Sequence, residues 1–380
     1  MPPLSLLIKP ASGSCNMRCR YCFYIDETEN RAVASKGKMS CETMHTLVDK
    51  ALAYADGECT FSFQGGEPTL AGLSFFRDLS AYIARHPNPK GIRVRYSIQT
   101  NSYDLNEEWA EWFAENKVLV GISLDGPKEI HDRYRVDRNG KGTFQRVMSA
   151  IRLLEKHKVD FNVLTVVSGA NARRGQQLYQ FFKKQDFRYQ QYIECLDPIG
   201  VTPGAQEYSL TAEEYEIFLK TVFDAWYRDM TAGRYVYNRY FENLMMILTR
   251  QAPESCSLMG SCPPQWVIEA DGSVYPCDFY ALDEWCLGNI LEQSFEELET
   301  ARKASGFMEW SRQVPEECRR CRWYPLCRNG CRRNREPVTV DSTGRNVFCS
   351  AYQNFLAYAY PRLAEICRML VRQAGGNNPI

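Results

Sequence analysis

From the start of the chain to about residue 195, short apolar runs rich in β-branched and aromatic residues alternate with longer stretches of helical period. Such alternation predicts repeated βα units. Six strands are read at Leu4–Lys9, Thr60–Gln64, Arg93–Gln99, Val118–Leu124, Phe161–Val167 and Arg188–Glu194. Helices are expected near residues 41–56, 72–85, 106–116, 143–158 and 172–186. Right-handed βα repeats build a parallel sheet, so the fold class is α/β, as a doubly wound sheet or a partial, open (β/α) barrel. Ligands of such folds gather where the strands end. Here those ends carry polar or Gly-rich turns: Ser14-Cys15, Gly65-Gly66-Glu67-Pro68, Thr100-Asn101, Asp125-Gly126-Pro127 and Leu196-Asp197-Pro198.

Residues 211–250 carry Glu, Leu, Phe and Tyr at helical spacing behind Ser209-Leu210-Thr211-Ala212-Glu213-Glu214, which reads as a capping box opening a helical bridge. Beyond it periodicity fades, and ten of the sixteen cysteines fall between 256 and 367. A small domain organised by metal is expected there, because a chain segment without a sizeable apolar core draws its folding energy from bound metal. The tail from Gly375 to Pro379 is expected to fray.

Composition narrows the partners. Lys plus Arg and Asp plus Glu both number 46, so no global field recruits nucleic acid or an anionic membrane, and neither partner is expected. The first apolar run, Leu4–Ile8, is too short for a signal peptide or a membrane span, which points to the cytoplasm. In that reducing compartment the cysteines read as metal ligands rather than disulfides.

Cys15, Cys19 and Cys22 are spaced C-x3-C-x2-C directly after the first strand. Three thiolates on one loop hold three irons of a [4Fe–4S] cluster and leave the fourth open to an outside ligand. A zinc knuckle is the competing reading, but it needs a fourth Cys or His nearby, and the nearest, Cys41 and His45, fall on an expected helix. The paired glycines of Gln64-Gly65-Gly66-Glu67-Pro68 let backbone approach a ligand closely. Farther on, Cys262-x9-Gly272-x4-Cys277 is followed by Cys318-x2-Cys321-x5-Cys327-x3-Cys331 and, after seventeen residues, Cys349, with Cys256 ahead of the group. These eight cysteines suffice for two four-thiolate clusters. Two zinc ribbons are the alternative.

The first loop resembles the radical S-adenosylmethionine (SAM) superfamily, whose signature carries an aromatic residue, here Tyr21, before the last cysteine. The later cysteines resemble the SPASM extension, and its C-x2-C-x5-C-x3-C run is the most specific element. The resemblance implies a partial (β/α)6 radical SAM barrel over residues 1–230, then a helical bridge and a small SPASM domain over 231–380 with a C-terminal helix. It also implies three [4Fe–4S] clusters and SAM as cofactors. Cys15, Cys19 and Cys22 would hold the first cluster, Cys256, Cys262, Cys277 and Cys331 the nearer auxiliary cluster, and Cys318, Cys321, Cys327 and Cys349 the farther one. SAM would be held by Gly65, Gly66 and Glu67 at its amino group, by Ser123 and Arg135 around the ribose and carboxylate, and by Leu196 at the adenine. Tyr21, Tyr24 and Gln64 complete the cofactor side, and Tyr24, Gln64 and Arg239 are also placed along a peptide cleft. Cys41, Cys59, Cys195, Cys286 and Cys367 remain and are expected to be buried small hydrophobes.

Within that superfamily the chain is similar to the anaerobic sulfatase-maturating enzymes, through Ser5–Ser12, Phe63–Leu70, Cys195–Pro198 and Asp271–Tyr280. The family oxidises Cys or Ser in a sulfatase's Cys/Ser-x-Pro/Ala-x-Arg motif to Cα-formylglycine. The implied chemistry is hydrogen abstraction from Cβ by a 5′-deoxyadenosyl radical, removal of the thiol or hydroxyl proton by Asp278 as general base, and loss of a second electron through the auxiliary clusters. The partners would be an unfolded or nascent sulfatase polypeptide and an electron donor such as flavodoxin or ferredoxin, in an anaerobic cytoplasm. Asp125, Asp197 and Glu242 are candidate partners for the motif's Arg. A SPASM maturase that crosslinks or oxidises another ribosomally made peptide would share every cluster cysteine and is the alternative.

Overall fold

The computed structural model describes residues 3–335 and 344–375, so the expected frayed tail lies outside the described residues from 376 onward. All six expected strands form: β1 (Leu4–Ile8), β2 (Glu58–Phe63), β3 (Arg93–Thr100), β4 (Leu119–Ser123), β5 (Phe161–Val167) and β6 (Tyr189–Glu194). The expected helices form as Cys41–Tyr54, Leu73–Arg85, Glu107–Glu115, Phe144–Lys156 and Gly175–Lys184. Strand β2 shows why, with Cys59, Phe61 and Phe63 buried and Thr60 and Ser62 between them half-buried. The helices start where Ser40 accepts from Thr43 N–H and Asn106 from Trp109 N–H, short polar side chains satisfying first-turn donors.

Four strands had no sequence signal: β7 (Tyr237–Asn238), β8 (Trp266–Ile268), β9 (Ser273–Tyr275) and β10 (Gly288–Asn289). Two or three residues are too few to display a period of two. Helices Phe23–Glu29, Lys128–Tyr134, Phe295–Ala304, Phe307–Arg312, Glu316–Arg320 and Tyr324–Cys327 were also unforeseen, none longer than ten residues.

The chain forms two compact units. The first holds residues up to 124, 131–162 and 264–307. In it β1, β2, β3 and β4 pair parallel in sequence order. The free edge of β1 takes β8 in parallel, and β8, β9 and β10 continue antiparallel. The cysteine-rich segment thus supplies strands to the sheet of the first βα repeats, an outcome its weak periodicity did not predict. Phe76 packs this unit edge-on, 4.9 Å from Phe63 and 5.3 Å from Trp109 between ring centroids.

The second unit holds residues 125–130, 163–263 and those from 308 on. Strands β5, β6 and β7 pair parallel within it. The expected helical bridge forms as two helices, Ala212–Thr231 and Arg239–Leu248. The first opens with the expected capping box, Thr211 and Glu214 each accepting the other's backbone N–H. A long C-terminal helix, Cys349–Gly375, lies against both through Phe355, whose ring sits 5.6 Å from Phe223 and 5.7 Å from Phe241.

Of the five remaining cysteines, Cys59, Cys195 and Cys367 are buried as expected, but Cys41 and Cys286 are exposed. Cys41 opens its helix one residue after the Ser40 cap, in a first turn that faces water, and Cys286 sits in the turn ahead of β10. Among the described residues no helix is long and apolar enough to cross a membrane.

Candidate active site

In the first unit the C-terminal ends of β1 to β4 deliver the cysteine loop, the Gly-Gly turn, Thr100-Asn101 and Ser123 to one edge of the sheet. Parallel register does this directly, pairing Ile8 with Phe63, Phe63 with Ile98 and Thr100 with Ile122. The loop is anchored on two sides. Glu67 N–H donates to Ser14 O at 2.8 Å, and Asn101 Nδ2 donates to Cys15 Sγ at 3.4 Å. Met17 N–H donates to the same sulfur at 3.3 Å.

Gly66 has φ +54°, and a Cβ there would meet Ser14 O at 2.3 Å and Ser12 O at 2.8 Å. The glycine therefore lets the turn lie flush against the cysteine loop. Replacing Gly66 by Ala is expected to destabilise the protein by more than about 1 kcal/mol and to lower iron retained after anaerobic reconstitution. Iron analysis of the purified variant checks it, and wild-type iron content would show that the loop has room.

Glu67 does not present a free carboxylate. It is 1 % exposed, with Oε1 accepting from Thr69 and Thr100 hydroxyls and Oε2 from Asn101 N–H. Burial pushes its pKa up and these donors oppose the shift. Its work is to tie the glycine turn to the end of β3. Ser123 Oγ accepts from Gln99, and Tyr21 is buried edge-on to Tyr134. Arg135 is buried with its guanidinium 5.5 Å from the Tyr21 ring; burial pushes the Cys22 thiol up, and the Arg135 charge opposes that shift only in part. Burial pushes the Cys15 thiol up to about 12. Neutral thiols in so dry a pocket become thiolates once bound to metal, and the N–H groups aimed at Cys15 Sγ suit a coordinated sulfur. The three cysteines fit a cluster.

Asp278 follows Cys277 just after β9, and the pairing of β8 with β1 brings it beside this edge. Its Oδ2 accepts from Tyr24 OH at 2.6 Å and from Gln64 Nε2 at 2.9 Å. Its Oδ1 lies 3.3 Å from Lys9 Nζ as an ion pair, buried and without a hydrogen bond. Behind it runs a chain of buried charges that sequence reading missed. Lys9 donates to Glu27 at 2.7 Å, Glu27 contacts Arg31, and Arg31 donates to Glu269 at 2.6 Å. Each of these four side chains is no more than 2 % exposed. The available signal was Lys9, a cation directly after the apolar run Leu6–Ile8.

The second unit holds Cys256, Cys262, Cys318, Cys321, Cys327, Cys331 and Cys349, while Cys277 belongs to the first. Cys318, Cys321, Cys327 and Cys349 line one cavity with Trp323, Tyr324 and Gln353. Cys331 lies beside Cys256 and Cys262, and burial with these neighbours pushes its thiol up to about 12. Four thiols around one cavity match the donor set of an iron–sulfur cluster. Leu196 and Asp197 line a separate cleft with Arg333 and Phe348. Arg239 donates to Gln191 at 2.9 Å. Of the candidate carboxylates, Asp125 accepts from Val166 N–H, Asp197 caps Gly204 N–H, and burial raises Glu242 to a pKa of about 7.

Comparisons with known proteins agree with this layout. Residues 10–182 match the Radical SAM superfamily, and residues 261–322 match the SPASM iron–sulfur cluster-binding domain. The chain is 47% identical over 370 residues to a cysteine-type anaerobic sulfatase-maturating enzyme of Clostridium novyi, covering 97% of this chain and 99% of that one. It is 30% identical to a serine-type enzyme of Bacteroides thetaiotaomicron, over 99% of this chain and 94% of the other. Among solved structures, anSMEcpe with bound AdoMet and Cp18Cys peptide superposes with a TM-score of 0.92 at 45% identity, covering 97% of this chain and all of that one. The expected radical SAM and SPASM fold is borne out. The chain belongs to the anaerobic sulfatase-maturating enzymes, radical SAM proteins with a SPASM domain.

Proposed function

We propose that this enzyme oxidises a cysteine, and more slowly a serine, in a sulfatase's Cys/Ser-x-Pro/Ala-x-Arg motif to Cα-formylglycine. The observation that carries the proposal is Asp278, a carboxylate fixed at one oxygen by Tyr24 and Gln64 and paired at the other with Lys9. That arrangement suits a base that must take one proton from one direction. Preference for cysteine is supported by identities of 46–47% to cysteine-type relatives against 30–31% to serine-type ones.

Cys15, Cys19 and Cys22 would hold the SAM-binding cluster. Cys256, Cys262, Cys277 and Cys331 would hold one auxiliary cluster, and Cys318, Cys321, Cys327 and Cys349 the other. With SAM bound, the first cluster would supply the 5′-deoxyadenosyl radical chemistry that removes a Cβ hydrogen from the substrate residue, and the auxiliary clusters would take the second electron. Asp278 then accepts the thiol or hydroxyl proton, while Tyr24 and Gln64 stop the carboxylate from turning. Lys9 holds Oδ1 in place from behind. Gly65, Gly66, Ser123, Arg135 and Leu196 would position SAM, and Glu67 acts by shaping the glycine turn. Residues 1–230 would form the radical SAM segment, and residues 231–380 would supply the auxiliary-cluster cysteines together with Asp278. The enzyme works in an anaerobic cytoplasm on unfolded or nascent sulfatase, with flavodoxin or ferredoxin as electron donor.

Anaerobic incubation of reconstituted protein with SAM, reductant and paired Cys and Ser motif peptides tests the reading by peptide mass spectrometry. Formylglycine is expected from both, faster from Cys, with 5′-deoxyadenosine formed alongside. Deoxyadenosine without any change in either peptide would move the substrate elsewhere.

A further inference from the structure

The loop that carries Cys15, Cys19 and Cys22 also builds a cationic surface. Residues alternate along it, Met17 and Tyr21 buried while Arg18 and Arg20 face solvent. The loop runs against residues 134–137, with Met17 bridged to Asp137, Arg18 N–H donating to Val136 O and Arg20 N–H to Tyr134 O. That second segment adds exposed Arg133, Arg138 and Lys141, and Arg138 reaches back to donate to Cys15 O at 3.0 Å. Arg146 stands at the rim.

Acidic groups compensate only in part. Asp137 is 8 % exposed and turned inward, accepting from the N–H groups of Asn139 and Lys141 and from Tyr103 OH. Asp132 accepts from Phe144 N–H, and Asp104 is shared between Arg146 and Asn16. In a chain of zero formal net charge, this excess of exposed cations is local.

We propose that this face docks the acidic one-electron carrier, of the flavodoxin or ferredoxin class, that reduces the first cluster. The proposal rests on the reading that Cys15, Cys19 and Cys22 hold that cluster. Arg18 adjoins Cys19, and adjacent Cα atoms lie about 3.8 Å apart. Arg20 stands between Cys19 and Cys22 in sequence. A carrier seated on these arginines lies one residue along the chain from Cys19 on either side, and electron transfer slows steeply with distance. The sulfatase motif is a poorer occupant, because its own Arg would be repelled. The exchange moves one electron from the reduced carrier to the [4Fe–4S] group, oxidises the carrier by one electron and transfers no atoms.

The test is stopped-flow reduction of the reconstituted protein by purified flavodoxin hydroquinone, with neutral photoreduced deazaflavin as the small-molecule control. The wild-type rate constant should fall steeply as salt is added. Arg18→Glu/Arg20→Glu/Lys141→Glu should lower the flavodoxin rate at low salt by about 10- to 1000-fold and remove its salt dependence. Reduction by deazaflavin should be unchanged. A triple reversal at Arg319, Arg320 and Arg322, in the second unit, should leave the flavodoxin rate as in wild type. An unaltered rate in the first variant, or a loss only in the second, overturns the proposal. If the first variant loses its cluster spectrum, Lys141→Glu alone decides, being outside the cysteine loop: a several-fold slower rate supports docking here and no change overturns it. A wild-type protein that neither reductant reduces sinks the cluster assignment itself.

Discussion

Replacing Asp278 by Asn is expected to slow formylglycine formation by about 10²- to 10⁴-fold, the range for loss of a positioned general base, while SAM is still cleaved to 5′-deoxyadenosine. The substitution is close to isosteric. Asn can still accept from Tyr24 OH or Gln64 Nε2 at the oxygen that now takes both bonds. What disappears is the second oxygen, the one paired with Lys9 and free of hydrogen bonds. Peptide mass spectrometry and chromatography of deoxyadenosine on the same samples check the two halves of this expectation separately. Wild-type formylglycine yield at wild-type rate would remove Asp278 from the mechanism, and loss of both products would make it a structural residue.

Replacing Glu27 by Gln is expected to cost roughly 3–5 kcal/mol of stability, the usual consequence of removing one partner from a buried ion pair. Glu27 stands between Lys9 and Arg31, and all three side chains are almost wholly excluded from water. Gln keeps the volume and removes the charge, so Lys9 would rely on Asp278 alone and Arg31 on Glu269 alone. Burial already pushes the Lys9 pKa down against the pull of Asp278 and Glu269, so one fewer carboxylate makes its charged form costlier. Denaturant titration of the reconstituted enzyme under anaerobic conditions measures the loss. A change below about 1 kcal/mol would mean that water reaches this chain.

The two substitutions probe one construction from opposite ends. On the proposed mechanism Asp278 is where the buried charges meet the reaction, and Glu27 is the link that keeps Lys9 in place behind it.

Much of this site was legible in the sequence because its chemistry is local. Cys15, Cys19 and Cys22 lie within eight residues, and Gly65 and Gly66 are adjacent, so spacing alone shows what they can hold. Strands β1 to β6 were readable because each is long enough to show its apolar pattern. Strands β8 to β10 were not, since a three-residue strand such as Trp266–Ile268 is defined by the neighbour it pairs with. Exposed Cys41 and Cys286 show the same limit, because composition cannot say which side of a turn meets water.

The amino-acid sequence by itself determined the family, the ligand types and the order of the βα repeats, all properties of residues near one another along the chain. Only the tertiary structure decided what Asp278 touches. Tyr24 is 254 residues away and Gln64 is 214 residues away, and it is the pairing of β8 with β1 that carries Cys277 and Asp278 to the strand ends of the first repeats. The charge chain from Lys9 to Glu269 depends on the same pairing, because ion pairs between such distant residues exist only once the sheet has closed the distance and excluded water.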